Sequence, residues 1–204
     1  MTCQIPIHED LITRARTPLL ESQEFTVETF RYRTGVAALT VENSRGRVVL
    51  LPFDGQQIWD ATFDGRRITM KSMFDEPRPG VPYLETYGAL LVHCGATAMG
   101  GPGPQDSHPL HGELPHARYQ SAWVVVGEDE TGPWIEIAGS YQHTVAFAHN
   151  YIALPRVRMR PDSALLEVGI SINNQKRTPM ELMYLAHINL APVDHGKLVY
   201  SAPG

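Results

Sequence analysis

The sequence has no apolar run approaching the ~18 residues that a membrane-spanning helix needs, and no basic run. Lys and Arg number 17 against 22 Asp and Glu, a formal charge of −5. A phosphate-binding surface wants clustered cations, so a nucleic-acid partner is not expected. Charged residues are 19% of the chain, and they form no solvated tail. The first residues, MTCQIPIHEDL, lack a basic stretch and a long apolar core, so they do not read as a secretory signal. There are only two cysteines, Cys3 and Cys94. That excludes a disulfide scaffold and fits reduced thiols in a cytoplasmic protein. Cys94 lies in an apolar strand pattern and reads as a buried structural thiol. A convincing amphipathic helix of ordinary length is also missing.

What is there is a succession of short strands. Phe25–Arg33 alternates, with Phe25, Val27, Thr29 and Arg31 on one face and Thr26, Glu28, Phe30 and Tyr32 on the other. Strands are predicted at Gly35–Glu42, Arg47–Phe53, Gln56–Phe63, Arg66–Met70, Glu85–Gly95 and Ser121–Val126. Others are predicted at Trp134–Tyr141, Thr144–Met159, Ala164–Ile172 and Met180–Asn189. Asn43-Ser44-Arg45-Gly46, Asp54-Gly55 and Asp64-Gly65 supply turns. Leu166, Val168, Ile170 and Ile172 share one parity, the buried face of a half-exposed strand. Residues 1–22 give a weak signal, with a short helix allowed over Asp10–Arg16. Lys71–Pro82, with three prolines, reads as loop. Short strands with polar turns, no linker and no fixed repeat predict an all-β antiparallel sandwich or barrel, one domain over 1–204.

The chemistry concentrates between Leu90 and Trp123, which holds four of the nine histidines: His93, His108, His111 and His116. In His111-Gly112-Glu113, a locally extended backbone would point His111 and Glu113 the same way, with Gly112 admitting a ligand between them. In His187-Ile188-Asn189, His187 and Asn189 are polar in an apolar strand. Buried without partners they would cost ~1–3 kcal/mol each, so they either pair or line a cavity. His93 alternates with apolar neighbours and reads as a core histidine. Gly100-Gly101-Pro102-Gly103-Pro104 is not a phosphate loop, because no Lys-Ser/Thr and no helix follow it. The spacing of His108, His111, Glu113 and His116 matches neither the helical His-Glu-x-x-His pattern nor a Cys/His zinc motif, so no metal or cofactor is expected.

These motifs resemble the aldose 1-epimerases (galactose mutarotases) and their uncharacterised epimerase-like relatives. Gly46–Val49 with Gly55–Trp59 looks like that family's paired early strands, and Pro109–Glu113 looks like its first histidine motif. Asn173-Asn174, Thr178-Pro179-Met180 and His187-Ile188-Asn189 are similar to its second-histidine segment. The resemblance implies the antiparallel supersandwich fold, a sugar-binding cleft, and interconversion of anomers without a cofactor. It implies that His111 orients the sugar and that His187 protonates the ring oxygen. Glu113, Asn189, Asp106 and Trp59 are the expected sugar binders. The partner is then a small sugar or sugar derivative, with no membrane, and a homodimer is compatible with the sequence. Two other readings are a non-catalytic carbohydrate-binding module and a metal-dependent sugar isomerase using the histidine cluster. The family's arginine motif is not recognisable near Met70–Glu76. Ile188 stands where an aromatic residue is expected, and the last glutamate is Glu181. The resemblance therefore leads us to expect the N-terminal and central part of a longer domain, or a member without catalysis.

Overall fold

The computed structural model describes residues 2–197 and residue 199. In chain order the strands are β1 Cys3–Ile7, β2 Thr17–Glu21, β3 Thr26–Arg31, β4 Ala37–Asn43, β5 Gly46–Leu50, β6 Ile58–Phe63 and β7 Arg66–Arg67. They continue with β8 Leu91–Ala96, β9 Ser121–Asp129, β10 Gly132–Val145, β11 His149–Met159, β12 Glu167–Asn174 and β13 Met183–Ile188. Three single 3₁₀ turns, at Glu9–Leu11, Tyr83–Glu85 and Leu114–His116, are the only helical elements among the described residues. No helix among the described residues is long and apolar enough to cross a membrane.

Every paired strand is antiparallel. One sheet runs β1-β9-β10-β11-β12; the other runs β13-β8-β6-β5-β4-β3-β2, with β7 pairing β6. The expected all-β sandwich is therefore the fold. Alternation decides which side chains enter it. Val27, Leu39, Val41, Val48 and Leu50 of the larger sheet meet Val124, Ile135, Ile137, Val157 and Met159 of the smaller one. The opposite parity, Phe30, Ala38, Val49 and Leu51, joins Trp59, Val92 and Cys94 in a second cluster on the outer face. That face is not solvent-exposed, because the segment between β7 and β8 lays Tyr83, Tyr87 and Ala89 over it. The larger sheet is thus covered on both sides, which is why β4 and β5 read as near-continuous apolar runs.

Several sequence expectations shift. Residues 1–22 contain two strands and a 3₁₀ turn rather than the allowed helix. The strand expected at Glu85–Gly95 begins only at Leu91, after the 3₁₀ turn, and the one expected from Thr144 begins at His149. On β12, Ile170 and Ile172 pack against a small cluster around Tyr151, whereas Val168, expected to be buried with them, is exposed.

Candidate functional site

His187 is placed by the register of an edge strand. It lies directly opposite Val92 in the β13–β8 ladder, so it shares the outer face with Val92. His111 reaches the same face from the loop after β8. Its C=O accepts from Gly95 N–H at 2.9 Å, and its own N–H donates to Gly100 C=O at 2.9 Å. Both His111 and Gly112 have left-handed backbones, φ +62° and +78°, so the loop doubles back over the sheet. The two imidazoles end 5.7 Å apart between ring centroids, edge to face.

Two tyrosines complete the cluster. Tyr83 lies 5.2 Å from His111 and 6.5 Å from His187; Tyr87 lies 5.7 Å from His187, nearly perpendicular. Burial pushes the Tyr83 phenol well above its ordinary value. Burial also raises Tyr87, against the opposing hydrogen bond to Asn189. Both therefore stay neutral phenols. Burial lowers His111 first, and the neighbouring His187 lowers it further.

Glu113 does not share the face of His111, as an extended backbone would have required, because the left-handed pair at 111–112 turns it away. Its carboxylate accepts from Tyr151 Oη at 2.6 Å, Thr97 Oγ1 at 2.8 Å, and the N–H groups of Ala96 and Thr97 at 3.1 Å. Burial alone would raise its pKa; the bonds from Tyr151 and Thr97 outweigh that and hold it below the usual carboxylate value. Asn189 is buried. Its amide oxygen accepts from Tyr87 Oη at 2.6 Å and its NH₂ donates to Ala89 C=O at 3.0 Å, so it acts on the cluster through Tyr87. Trp59 is buried in the outer-face cluster beside Tyr32 and offers no free face. Asp106 sits on an exposed turn, bonded to Gly103 N–H at 2.8 Å. The structure thus brings His111 and His187 together and engages or sets aside the four expected binders.

The sequence reading passed over Tyr83 and Tyr87. Two tyrosines four apart in a proline-rich loop were the available signal, since aromatics seldom serve a purely solvated loop. His93 is fully buried, its Nδ1 2.8 Å from Tyr184 Oη, as expected of a core histidine. Cys94 is buried and free, and burial pushes its thiol up to about 11, so it is unreactive at neutral pH. No group of three His, Cys, Asp or Glu side chains among the described residues is arranged to hold a metal ion. A cleft at the corner formed by Ser22–Thr26 and Pro161–Asp162 carries no histidine or cysteine.

A family model described as "Domain of unknown function (DUF4432)" matches residues 33–198. Among solved structures, the chain is similar to a "putative aldose 1-epimerase" from Klebsiella pneumoniae subsp. pneumoniae, with a TM-score of 0.77 at 19% identity. The alignment covers 93% of this chain and 55% of that one, so the chain spans about half the length of that structure. No curated protein matches.

Proposed function

Since the chain belongs to the DUF4432 family and has the fold of an aldose 1-epimerase, we propose that it binds a sugar at the His111–His187 cluster and that these imidazoles are its proton-transfer groups. The observation that carries this reading is the 5.7 Å approach of two histidines from distant segments, braced by two neutral tyrosines. Interconverting anomers requires a proton removed from O1 and a proton delivered to ring O5, so that the C1–O5 bond opens and recloses on the other face. Two imidazoles this close disfavour a double positive charge. The burden falls on His111, whose neutral form burial already favours. His111 is then the hydrogen-bond acceptor that orients the sugar and takes the O1 proton, and His187 gives its proton to O5; reclosure of the ring reverses both transfers. The half-buried Tyr87 ring supplies an apolar face for the pyranose.

A second reading, sugar binding without turnover, is favoured by the carboxylates. Glu113 is fully engaged with Thr97 and Tyr151, and among the described residues no carboxylate moves the His111 pKa. General acid and base groups are each worth roughly 10²–10⁴-fold, so an imidazole pair with no carboxylate base gives a slow catalyst. The test is exchange NMR of anomers, with saturation-transfer binding, across a panel of neutral hexoses and pentoses. We expect saturable binding and weak acceleration of one or a few sugars, lost by about 10²-fold in His187→Gln. Binding with no acceleration selects the second reading, and no binding by any sugar sinks both.

A further inference from the structure

Asp54 is a buried carboxylate to which the reading above gives no task. Its side chain is 6% exposed, in the turn between β5 and β6, and Nδ1 of His116 lies 3.4 Å from its Oδ1. The backbones around the pair are locked together. Gly55 N–H donates to Ala117 C=O at 2.9 Å, Asp54 forms an isolated bridge with Arg118, and Gln57 Nε2 donates to Pro115 C=O at 2.8 Å. Gly55 permits this approach: at φ +61°, a Cβ there would stand 2.1 Å from the Pro115 carbonyl oxygen. The contact between Asp54 and His116 is therefore set by main chain, not by a chance rotamer. The His116 ring lies 6.1 Å from Tyr83, the ring that also touches His111 and His187. Its Nε2 is buried without a partner.

We propose that Asp54 and His116 are a positioning pair for the imidazole site. The carboxylate holds the His116 ring in one orientation with its proton on Nδ1, and His116 and Tyr83 together fix where His111 and His187 stand. A carboxylate beside one ring nitrogen selects the tautomer that donates to it, and a rigid support is what keeps reacting groups in register. Tyr83, Tyr87 and Cys94, which pack around this cluster, are uncharged at neutral pH. Arg118, two residues from His116, turns instead to Glu9 at 3.1 Å. The effect on rate rests on the proton-transfer role given to His111 and His187; the effects on the His116 tautomer and on the ring shifts do not.

The test uses the full chain with ¹⁵N-labelled histidine, each signal assigned by single His→Gln variants. In the wild type we expect His116 as one tautomer, Nδ1–H, through neutral pH. In Asp54→Asn, which keeps the shape and removes the charge, we expect mixed His116 tautomers. The His111 and His187 ring shifts should then move, because the ring that braces them is no longer held in one orientation. Where the wild type turns over a sugar, kcat should fall about tenfold with KM within about twofold. A wild-type His116 that is Nε2–H or a mixture overturns the proposal with no variant needed. A folded Asp54→Asn protein whose His111 and His187 ring shifts match the wild type overturns it too. Absence of turnover in the wild type counts against the proton-transfer reading alone and leaves the NMR outcomes to decide this one.

Discussion

A histidine shut away from water gains a proton only at the expense of its surroundings. His93 is fully buried between the sheets, and burial pushes it down to about 4. In the unfolded chain it titrates near 6.5, so between those values the unfolded state binds the extra proton. Stability contributed by neutral His93 is complete above about pH 6.5, falls as pH drops, and is lost by about pH 4, a loss of roughly 3 kcal/mol. Urea midpoints measured from pH 4 to pH 7.5 should therefore rise with pH, and His93→Gln should flatten much of that slope. An unchanged slope would mean that the acid sensitivity lies in another group. At this scale the pair His111 and His187 was legible, because each is a polar residue in an apolar setting. The contacts of Glu113 and Asn189 were not. Glu113's direction depends on two backbone dihedrals, and Asn189's partners, Tyr87 and Ala89, lie about a hundred positions earlier.

Strands and loops divide the site between them. β13 contributes His187 through its register with β8, and the 97–113 loop contributes His111 through two left-handed residues. Gly112 is the tighter of the two constraints. A Cβ on it would meet the Ala98 and Gly95 carbonyl oxygens at 2.5 and 2.6 Å, at a φ that side chains rarely adopt. Gly112→Ala should therefore destabilise the protein by on the order of 2–4 kcal/mol, lowering Tm by roughly 5–10 °C. It should also displace His111 more than His187, which sits on a paired strand; imidazole chemical shifts would report that difference. A variant with wild-type Tm and shifts would show that the loop accommodates the methyl group. Element boundaries follow the same physics. The long hairpin of β10 and β11 turns at Ala146-Phe147-Ala148 without Gly, Pro or Asn, because Phe147 itself takes φ +64°; the sequence carries no punctuation there, so its turn was misplaced. β1, with Pro6 and mostly exposed side chains, is a sheet edge and lacks the alternation that reveals a half-buried strand.

Across the whole molecule, apolar exposure is uneven. Of the fifteen exposed large hydrophobic side chains among the described residues, ten fall between Leu165 and Val199. β12 and β13 are the outermost strands of their sheets, so the same region presents unpaired backbone N–H and C=O groups. From Leu182 to Val193 there is no Asp, Glu, Lys or Arg, and charges are the usual protection of an edge strand. An uncharged edge flanked by apolar side chains pairs with other strands when concentration allows. The chain is therefore expected to self-associate reversibly at micromolar concentrations, seen as a concentration-dependent mass in light scattering. Leu185→Lys places a charge at the middle of β13, where the leucine is 42% exposed and its loss opens no cavity. It should return the chain to a monomer, with Tm changed by no more than a few degrees. His187 lies two positions away on the same strand, so sugar binding should survive the substitution if the site is built within one chain, and weaken if association helps to hold β13. A wild type that stays monomeric at hundreds of micromolar would show that the β13 edge is protected by something other than charge.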